Sequence, residues 1–338
     1  MSKTIYILSQ IPELAKLTAR ALPACQVIDI ELRQCTGKPS RGLKIDDREL
    51  NDLRNAEIVF GDPNLLVQTF HKLPNIQWMQ STWAGIDLFL KVISETGQKP
   101  PQCPITRFSG ESFGQLIFDY CIAHIIIHER KLFQNYIDTK QNKIWQLDMD
   151  CRTVNEVTIA ILGGTGAIGS FVAKKFSLLG SKVTGYGRTE SGNISNFKEI
   201  PLAKYSTKLE DILPESDYII SVLPSTPQTM GLLNNDILQM CKDKSPVLIN
   251  VGRGTLISEK DIIKAIDNRW ISAAILDVFE IEPLPQNSLL WSHPNVFITP
   301  HNSAVSRAKD CVKLFVENYN KFVGNEKLLY TINWNSGY

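Results

Sequence analysis

The feature that most limits what this chain can fold into is the glycine-rich stretch GGTGAIG at residues 163–169. It stands between a short β-branched run, TIAIL, and a stretch whose apolar residues recur at helical spacing. A GxGxxG pattern at a strand-to-helix turn lets a pyrophosphate approach the backbone at the amino end of the helix. We therefore predict a dinucleotide-binding turn whose cofactor contacts are Gly164, Thr165, Gly166, Ala167, Ile168 and Gly169.

Strand and helix patterns alternate along two long segments. The first segment has helical patterns at 11–22 and 64–73 among β-branched runs at 4–8, 26–30, 56–62 and 76–82. The second has six such runs, at 158–164, 182–187, 216–224, 246–252, 271–279 and 295–300. Alternation of this kind is typical of parallel, doubly wound sheets. We predict an α/β protein of two Rossmann-like doubly wound domains with a cleft between them: a flavodoxin-like substrate domain and a dinucleotide-binding domain.

Two domains are expected, because 338 residues exceed the usual size of one core. The first boundary is expected near residue 105, after the loop TGQKPPQCP at 96–104, and the second near residue 304. A long apolar pattern at 112–145 predicts a buried helix followed by a shorter one. The pattern at 307–323 predicts an amphipathic helix that returns to the first domain. The substrate domain is thus assigned to 1–105 and 305–338, and the NAD(P)-binding domain to 106–304.

Composition argues against several classes of partner. The net charge of +1 gives no electrostatic attraction to nucleic acid or to an anionic membrane. The seven cysteines are scattered without a CxxC pair, so neither a disulfide framework nor a zinc site is expected. The apolar runs are too short for a signal peptide or a membrane span. We expect a cytoplasmic protein that binds no metal.

The stretch VTGYGRTE at 183–190 bears on the choice of cofactor. In NAD-binding domains this strand ends at an acid that holds the ribose 2′-hydroxyl. Here Gly187, Arg188 and Thr189 take that place, and an arginine can pair with a 2′-phosphate. We predict NADPH as the cofactor. NADH is the alternative, since Arg188 could be a solvated surface residue and Glu190 could still reach a ribose.

Three motifs follow the later strands: VGRG at 251–254, DVFEIEP at 277–283 and TPH at 299–301. Together with GTGAIG and the upstream WAGID at 83–87, this ordered set resembles the D-2-hydroxyacid dehydrogenase family over nearly the whole chain. The FDYCIAH…R pattern at 118–130, the Arg-Thr pair and the chain length are most similar to the glyoxylate/hydroxypyruvate reductase branch. The resemblance implies NADPH-dependent reduction of a small 2-keto acid to the D-2-hydroxy acid.

The resemblance also implies a role for each motif. Arg253 would bind the carboxylate and carbonyl oxygen of the substrate through charge-assisted hydrogen bonds. His301 would donate the proton, and Glu282, chosen over Glu280 by its place before proline, would orient the ring and keep it protonated. The substrate carboxylate would also meet the backbone of Trp83, Ala84 and Gly85. The remaining cofactor contacts would be Asp277, at the nicotinamide amide, and Leu223, Pro224, Val251 and Gly252.

These assignments have alternatives. Arg253 could be a surface residue and Asp277 a strand cap, while His124 and His128 share a helix face but lack a third metal ligand. A reductase of larger or branched, D-mandelate-type keto acids stays open, since pocket shape decides the substrate. A nucleotide-sensing protein like the corepressors of this fold is a further alternative. The family resemblance also implies a homodimer through the region 112–145.

Overall fold

The computed structural model describes residues 3–32, 42–145, 150–193 and 197–337. The chain forms two compact units, one made of Met1–Phe113 with Ser306–Tyr338 and the other of Gly114–Val305. The expected boundaries at 105 and 304 lie close to these limits. The assignment of substrate and nucleotide to the two units stays a prediction at this stage.

The first unit is built on a parallel sheet of five strands in the order β2-β1-β3-β4-β5. Its strands are β1 (Thr4–Leu8), β2 (Gln26–Asp29), β3 (Ile58–Gly61), β4 (Trp78–Ser81) and β5 (Ile105–Thr106). Its first helices are α1 (Leu14–Ala21), α2 (Asp47–Asp52), α3 (Pro63–Leu66) and α4 (Asp87–Thr96). This strand order is that of the flavodoxin-like fold.

The second unit is built on a parallel sheet of seven strands in the order β12-β11-β10-β9-β6-β7-β8. They are β6 (Thr158–Leu162), β7 (Lys182–Tyr186), β8 (Lys204–Ser206), β9 (Tyr218–Ser221), β10 (Val247–Asn250), β11 (Ala273–Leu276) and β12 (Val296–Ile298). Its helices are α5 (Glu111–Glu129), which begins in the first unit, α6 (Leu132–Tyr136), α7 (Ala167–Leu178) and α8 (Glu259–Asp267). The strands after β6 are added first on one side of it (β7, β8) and then on the other (β9 to β12), as in dinucleotide-binding folds. The predicted fold class of two doubly wound α/β domains is confirmed.

The last helix, α9 (Ala308–Val323), packs on the sheet of the first unit. The ring of Phe315 stacks on Phe60 at 4.4 Å and on Trp78 at 5.0 Å between centroids. Because all three side chains are completely buried, this aromatic stack is a main part of the core on that face. The amphipathic pattern at 307–323 therefore forms the helix that the sequence predicts.

One helix prediction was wrong in extent, and a second, that of a long helix followed by a shorter one, was wrong only in how much of the long helix is buried. The pattern at 64–73 is helical only as far as Leu66. Gln68 N and Thr69 N then bond to the carbonyl three residues earlier, and side chains also take carbonyls: Gln68 Nε2 donates to Asn64 O at 2.7 Å and Thr69 Oγ1 to Leu66 O at 3.0 Å. The pattern at 112–145 gives α5, which ends at Glu129, before Lys131 takes a left-handed backbone conformation. Of α5 only Gly114, Ile117, Cys121 and Ile125 are buried.

The second sheet has one strand more than the six predicted. The extra strand, β8, is a three-residue edge strand whose letters KYS carry no apolar pattern. In the described residues, the crossovers after β7, β9 and β11 contain 3-10 turns where intervening α-helices were predicted. No helix of the described ranges is both long and apolar enough to cross a lipid bilayer.

An ion-pair network ties the end of α5 to the amino edge of the second sheet. Arg152 donates to Glu129 at 2.6 Å and to Asp217 at 2.7 Å, and Asp217 also accepts from Thr158 N at 2.8 Å. Burial acts to raise the pKa of both carboxyls, but the bonds from Arg152 and the backbone outweigh it, so both pKa values lie below the usual range. The network therefore stabilises the fold while the two carboxyls are ionised.

Replacing Arg152 by methionine is expected to lower the free energy of unfolding by about 2 kcal/mol at neutral pH, a value discounted because the guanidinium is half exposed. A carboxyl with a depressed pKa stabilises above its unfolded-state pKa and loses that effect as pH falls. The difference from the unmodified protein should thus shrink below roughly pH 4. Urea unfolding at neutral and acid pH measures it, with Lys182→Met, at the exposed pair with Glu215, as the control. Equal losses in the two variants, or a loss that does not depend on pH, would contradict the assignment.

Candidate active site

The predicted phosphate turn joins β6 to α7. A Cβ at Gly169 would lie 2.1 Å from the carbonyl oxygen of Gly163, and a Cβ at Gly164 would lie 3.2 Å from the Cα of Gly185. Glycine is therefore required where the helix packs on the turn and on the next strand. Gly166 precedes the first turn of α7, whose N–H groups have no acceptor within the helix and can bind an anion. The turn fits a dinucleotide pyrophosphate.

The stretch that follows β7 lies beside this turn. A Cβ at Gly187 would lie 2.6 Å from the hydroxyl of Tyr205 and 3.2 Å from Thr165 Oγ1, so a larger residue there would displace the Tyr205 side chain. Tyr205 on β8 donates its hydroxyl to Thr189 O at 2.6 Å and fixes the backbone of the exposed Arg188-Thr189 pair. Tyr205 was not predicted from the sequence, because β8, on which it lies, has no strand pattern of its own.

Arg253 follows β10 and is held by tight packing on both sides. A Cβ at Gly254 would lie 1.9 Å from the backbone of Phe279, and a Cβ at Gly252 would lie 2.6 Å from the carbonyl oxygen of Leu223. The buried Asn250 adds two bonds, since its Nδ2 donates to Arg253 O at 3.0 Å and its Oδ1 accepts from Gly252 N at 3.2 Å. Three predicted site segments, at 223–224, 251–253 and 277–283, are therefore neighbours at the carboxyl edge of the sheet.

His301 and Glu282 form a direct pair. The Nδ1 atom of His301 lies 2.7 Å from Glu282 Oε2, and Glu282 Oε1 accepts from Phe279 N at 3.1 Å. The carboxylate is thus fixed by its own loop, and the Nε2 atom of His301 is at the opposite side of the ring from it. The backbone of His301 has φ 53°, a left-handed conformation that is uncommon for a non-glycine residue and often marks functional sites.

Asp277 contacts the loop at 299–303 that carries His301. Its side chain is completely buried and accepts three hydrogen bonds, from Thr299 Oγ1 at 2.5 Å, Asn302 N at 2.9 Å and Ser303 N at 2.9 Å. Both carboxylate oxygens are therefore directed into the loop that carries the histidine. Its predicted contact with the nicotinamide amide stays a prediction, and the geometry gives it a second role as the anchor of this loop.

The predicted substrate loop at Trp83, Ala84 and Gly85 follows β4 in the first unit. Its carbonyls are bound by residues that follow β5: Phe108 N donates to Trp83 O at 3.0 Å, and Arg107 Nη1 donates to Ala84 O at 3.1 Å. These bonds fix the loop backbone and place a guanidinium beside it. Arg107 was not predicted from the sequence, because it lies in none of the recognised motifs.

A buried carboxyl group holds the base of the substrate loop. Asp62 accepts from Thr82 Oγ1 at 2.6 Å, from Ser9 Oγ at 2.8 Å and from Gln10 N at 2.7 Å. Burial raises the pKa of Asp62, against the lowering effect of these three bonds. The residue before Trp83 is therefore tied to the ends of β1 and β3.

Two of the predicted alternatives concern histidines on α5. His128 Nδ1 lies 2.8 Å from the hydroxyl of Tyr218, and the ring of His124 lies 4.4 Å from that of Tyr120. Burial lowers the pKa of both imidazoles. Within the described ranges, no group of three or more His, Cys, Asp or Glu side chains is placed to hold a metal ion.

A glycine turn at a helix start, with arginine and a carboxylate–histidine pair at the carboxyl edge of a parallel sheet, defines a nicotinamide-nucleotide-dependent oxidoreductase. The comparison with known families agrees with this class. The NAD-binding domain of D-isomer specific 2-hydroxyacid dehydrogenases matches residues 122–303, more than half of the chain. The chain belongs to the D-isomer specific 2-hydroxyacid dehydrogenase family.

Individual relatives refine this assignment. A glyoxylate/hydroxypyruvate reductase A of Enterobacter sp. (strain 638) is 31% identical over 230 residues, which cover 68% of this chain and 71% of the relative. A family member from Aeromonas salmonicida has a similar crystal structure, with a TM-score of 0.80 at 30% identity, covering 98% of this chain and 99% of its own. The NADPH-dependent glyoxylate/hydroxypyruvate reductase of Sinorhizobium meliloti, solved with NADP and sulfate, has a TM-score of 0.76 at 26% identity, and each chain is covered completely.

These findings confirm the predicted family and its glyoxylate/hydroxypyruvate reductase branch. The protein is an NAD(P)-dependent oxidoreductase, as predicted. The matched residues of the family model fall within the second unit. The roles of the individual site residues stay predictions.

Proposed function

We propose that this protein reduces a small 2-keto acid of the glyoxylate or hydroxypyruvate type to the D-2-hydroxy acid, with NADPH as the hydride donor. The observation that carries the proposal is the pair of His301 and Glu282 at 2.7 Å, at the same sheet edge as Arg253. The Enterobacter and Sinorhizobium relatives carry that activity in their names, which supports the substrate class.

In the proposed reaction, each side chain meets one requirement of keto acid reduction. Bound NADPH supplies the hydride to C2. Arg253 holds the carboxylate and polarises the carbonyl group with a fixed positive charge. His301 gives its proton to the carbonyl oxygen as the hydroxyl forms. Glu282 holds the imidazole ring in place, because its Oε2 lies 2.7 Å from Nδ1 of His301.

The substrate carboxylate is proposed to bind a second group, the backbone of Trp83, Ala84 and Gly85. The support is local to the first unit: this loop follows the carboxyl end of β4, and its carbonyls already accept from Arg107 and Phe108. With those carbonyls engaged, the loop backbone is fixed before a substrate arrives. Parallel α/β sheets bind ligands at this edge.

A panel of keto acids tests the substrate class. We expect the highest kcat/KM with glyoxylate and hydroxypyruvate, and lower values with pyruvate, phenylpyruvate and a branched 2-keto acid. A preference for the two bulkier acids would favour the larger, D-mandelate-type reductase instead. Tight NADPH binding without turnover of any acid would favour a nucleotide-sensing protein.

The preference for NADPH is proposed from the groups that follow β7. Arg188 and Thr189 can bind a 2′-phosphate through charge-assisted hydrogen bonds. The competing acid, Glu190, accepts a hydrogen bond from Thr207 Oγ1 at 3.0 Å, which holds its carboxylate beside Thr207. An acid held in this way is less available to a ribose 2′-hydroxyl.

Replacing Arg188 by alanine is expected to lower kcat/KM for NADPH by about 10- to 100-fold, the effect of a lost charge-assisted bond, and to change the value for NADH by less than about threefold. The control is Lys182→Ala, which removes one positive charge at the other end of the same strand. Steady-state kinetics with both cofactors measure the ratio. An equal loss for NADPH and NADH would show that Arg188 does not bind the 2′-phosphate.

We also propose a homodimer through the surface formed by the last turn of α5 and the residues after it, from Ile126 to Trp145. Seven large apolar side chains are exposed there: Ile126, Leu132, Phe133, Tyr136, Ile137, Ile144 and Trp145. An apolar set of this kind is typical of protein interfaces. The molar mass in solution, measured by light scattering, tests this proposal.

A further inference from the structure

Tyr120 on α5 is joined to the His301 loop by a chain of hydrogen bonds. Its hydroxyl lies 2.7 Å from Thr299 Oγ1, which in turn lies 2.5 Å from Asp277 Oδ1. A threonine hydroxyl has one proton, and Asp277 can only accept as a carboxylate. Thr299 therefore donates to Asp277, and Tyr120 must donate to Thr299.

The chain ends on the residue that shapes the loop. Asp277 accepts from the backbone N–H groups of Asn302 and Ser303, directly after His301, and from the side chain of Thr299, two residues before it. His301 is therefore held from both sides by one carboxylate. Its left-handed backbone conformation costs energy for an L-residue and persists only where neighbours fix it.

The surroundings of Tyr120 keep it a hydrogen-bond donor. Its ring is half-buried on α5, beside His124. Burial raises the pKa of its hydroxyl, with Asp277 adding to the effect and the bond to Thr299 opposing it, so the proton stays on the oxygen. Chains of hydrogen bonds in one direction polarise and strengthen one another.

We propose that Tyr120 is a positioning residue for the proton donor, acting on His301 through Thr299 and Asp277. The inference rests on the proposed function, because it needs His301 to be the acid in keto acid reduction. Losing the hydroxyl should let the 299–303 loop shift, and small misplacements of a reacting group lower the rate of the chemical step more than they lower binding.

The test compares two tyrosine-to-phenylalanine variants in the same unit. Tyr120→Phe is expected to lower kcat for glyoxylate by about tenfold, the effect of one net hydrogen bond, while the Kd of NADPH and the number of NADPH sites per chain stay unchanged. The control, Tyr218→Phe, removes a hydroxyl that donates to Glu129 at 2.7 Å at the amino edge of the sheet. It should leave kcat unchanged even where it lowers the melting temperature.

Two further measurements separate positioning from a general structural role. The solvent deuterium isotope effect on kcat should increase in Tyr120→Phe, because proton transfer from a misplaced acid becomes slower. Thr299→Ser keeps the hydroxyl and should retain most of the activity, whereas Thr299→Val should match Tyr120→Phe. The double variant Tyr120→Phe/Thr299→Val should lose little more than either single variant, since both break the same chain.

The outcomes keep the two proposals apart. Absence of keto acid turnover in the unmodified protein would overturn the proposed function. Turnover in the unmodified protein with an equal kcat in Tyr120→Phe would overturn only the role of Tyr120. A lower kcat with an unchanged isotope effect and fewer NADPH sites would likewise overturn it, because the loss would then reflect unfolded protein.

Discussion

Replacing His301 by glutamine is expected to lower kcat for keto acid reduction by about 10²- to 10⁴-fold, the usual contribution of a general acid. Glutamine fills a similar volume and can still donate a hydrogen bond to Glu282, but it has no proton to give to the substrate oxygen. The contact between Nδ1 of His301 and Oε2 of Glu282 at 2.7 Å is lost, while the loop is still anchored by Asp277. The Kd of NADPH should therefore change little.

His293 provides the matched control. It precedes β12, whereas His301 follows it, and its Nε2 lies 3.5 Å from Asp267. His293→Gln should leave kcat within about twofold of the unmodified protein, because the residue lies at the opposite end of β12 from His301. Equal losses in the two variants would show that His301 is not the acid, and loss of NADPH binding in His301→Gln would show that it lies in the cofactor site.

Replacing Arg253 by alanine is expected to lower kcat/KM by about 10³-fold or more, because the fixed positive charge that stabilises the developing alkoxide is removed. Arg253→Lys should recover only part of this, since an ammonium group cannot make the paired bonds of a guanidinium. Arg253→Ala also removes the bond from Arg253 Nη1 to Gly252 O at 2.7 Å. The turn should still keep its shape, because the close packing of Gly252 and Gly254 and the bonds of the buried Asn250 are unchanged.

The kinetics of the two Arg253 variants are measured in two series, one with NADPH saturating and the keto acid varied, the other with the keto acid saturating and NADPH varied. Arg130→Ala, an exposed arginine in the same unit, is the control and should behave like the unmodified protein. Should the loss in Arg253→Ala appear in the KM for NADPH and not for the keto acid, Arg253 would belong to the cofactor site and the proposed substrate contact would be wrong.

Much of this fold could be predicted from sequence because its signals are local. A strand followed by GxGxxG and a helix requires glycines wherever backbone meets backbone, and the structure shows why at Gly169, where a Cβ would lie 2.1 Å from a carbonyl oxygen. The β-branched runs of the central strands are almost continuously apolar because these strands are buried on both faces, so their pattern is strong. The pairing of His301 with Glu282 was expected from motif register alone, and Nδ1 of His301 lies 2.7 Å from Oε2 of Glu282.

The features that were missed depend on long-range contacts. Strand β8 is defined by its pairing with β7, because its own sequence has no strand pattern. Helix α3 stops early because side chains of Gln68 and Thr69 compete for backbone carbonyls. Tyr120 and Thr299 are 179 residues apart, so no spacing rule could join them. Arg107 and Asp62 act on the substrate loop in the same way, through contacts that only the folded first unit creates.

The measurement that tests the central claim most directly is transfer of deuterium from NADPH labelled at the hydride position of the nicotinamide. The purified protein would be incubated with labelled NADPH and hydroxypyruvate, and the product analysed for label position and for its D or L configuration. We predict the D-2-hydroxy acid with deuterium at C2, at a lower yield with labelled NADH. NADPH consumption without label at C2, formation of the L-isomer, or no product at all would contradict the proposed hydride transfer to a 2-keto acid.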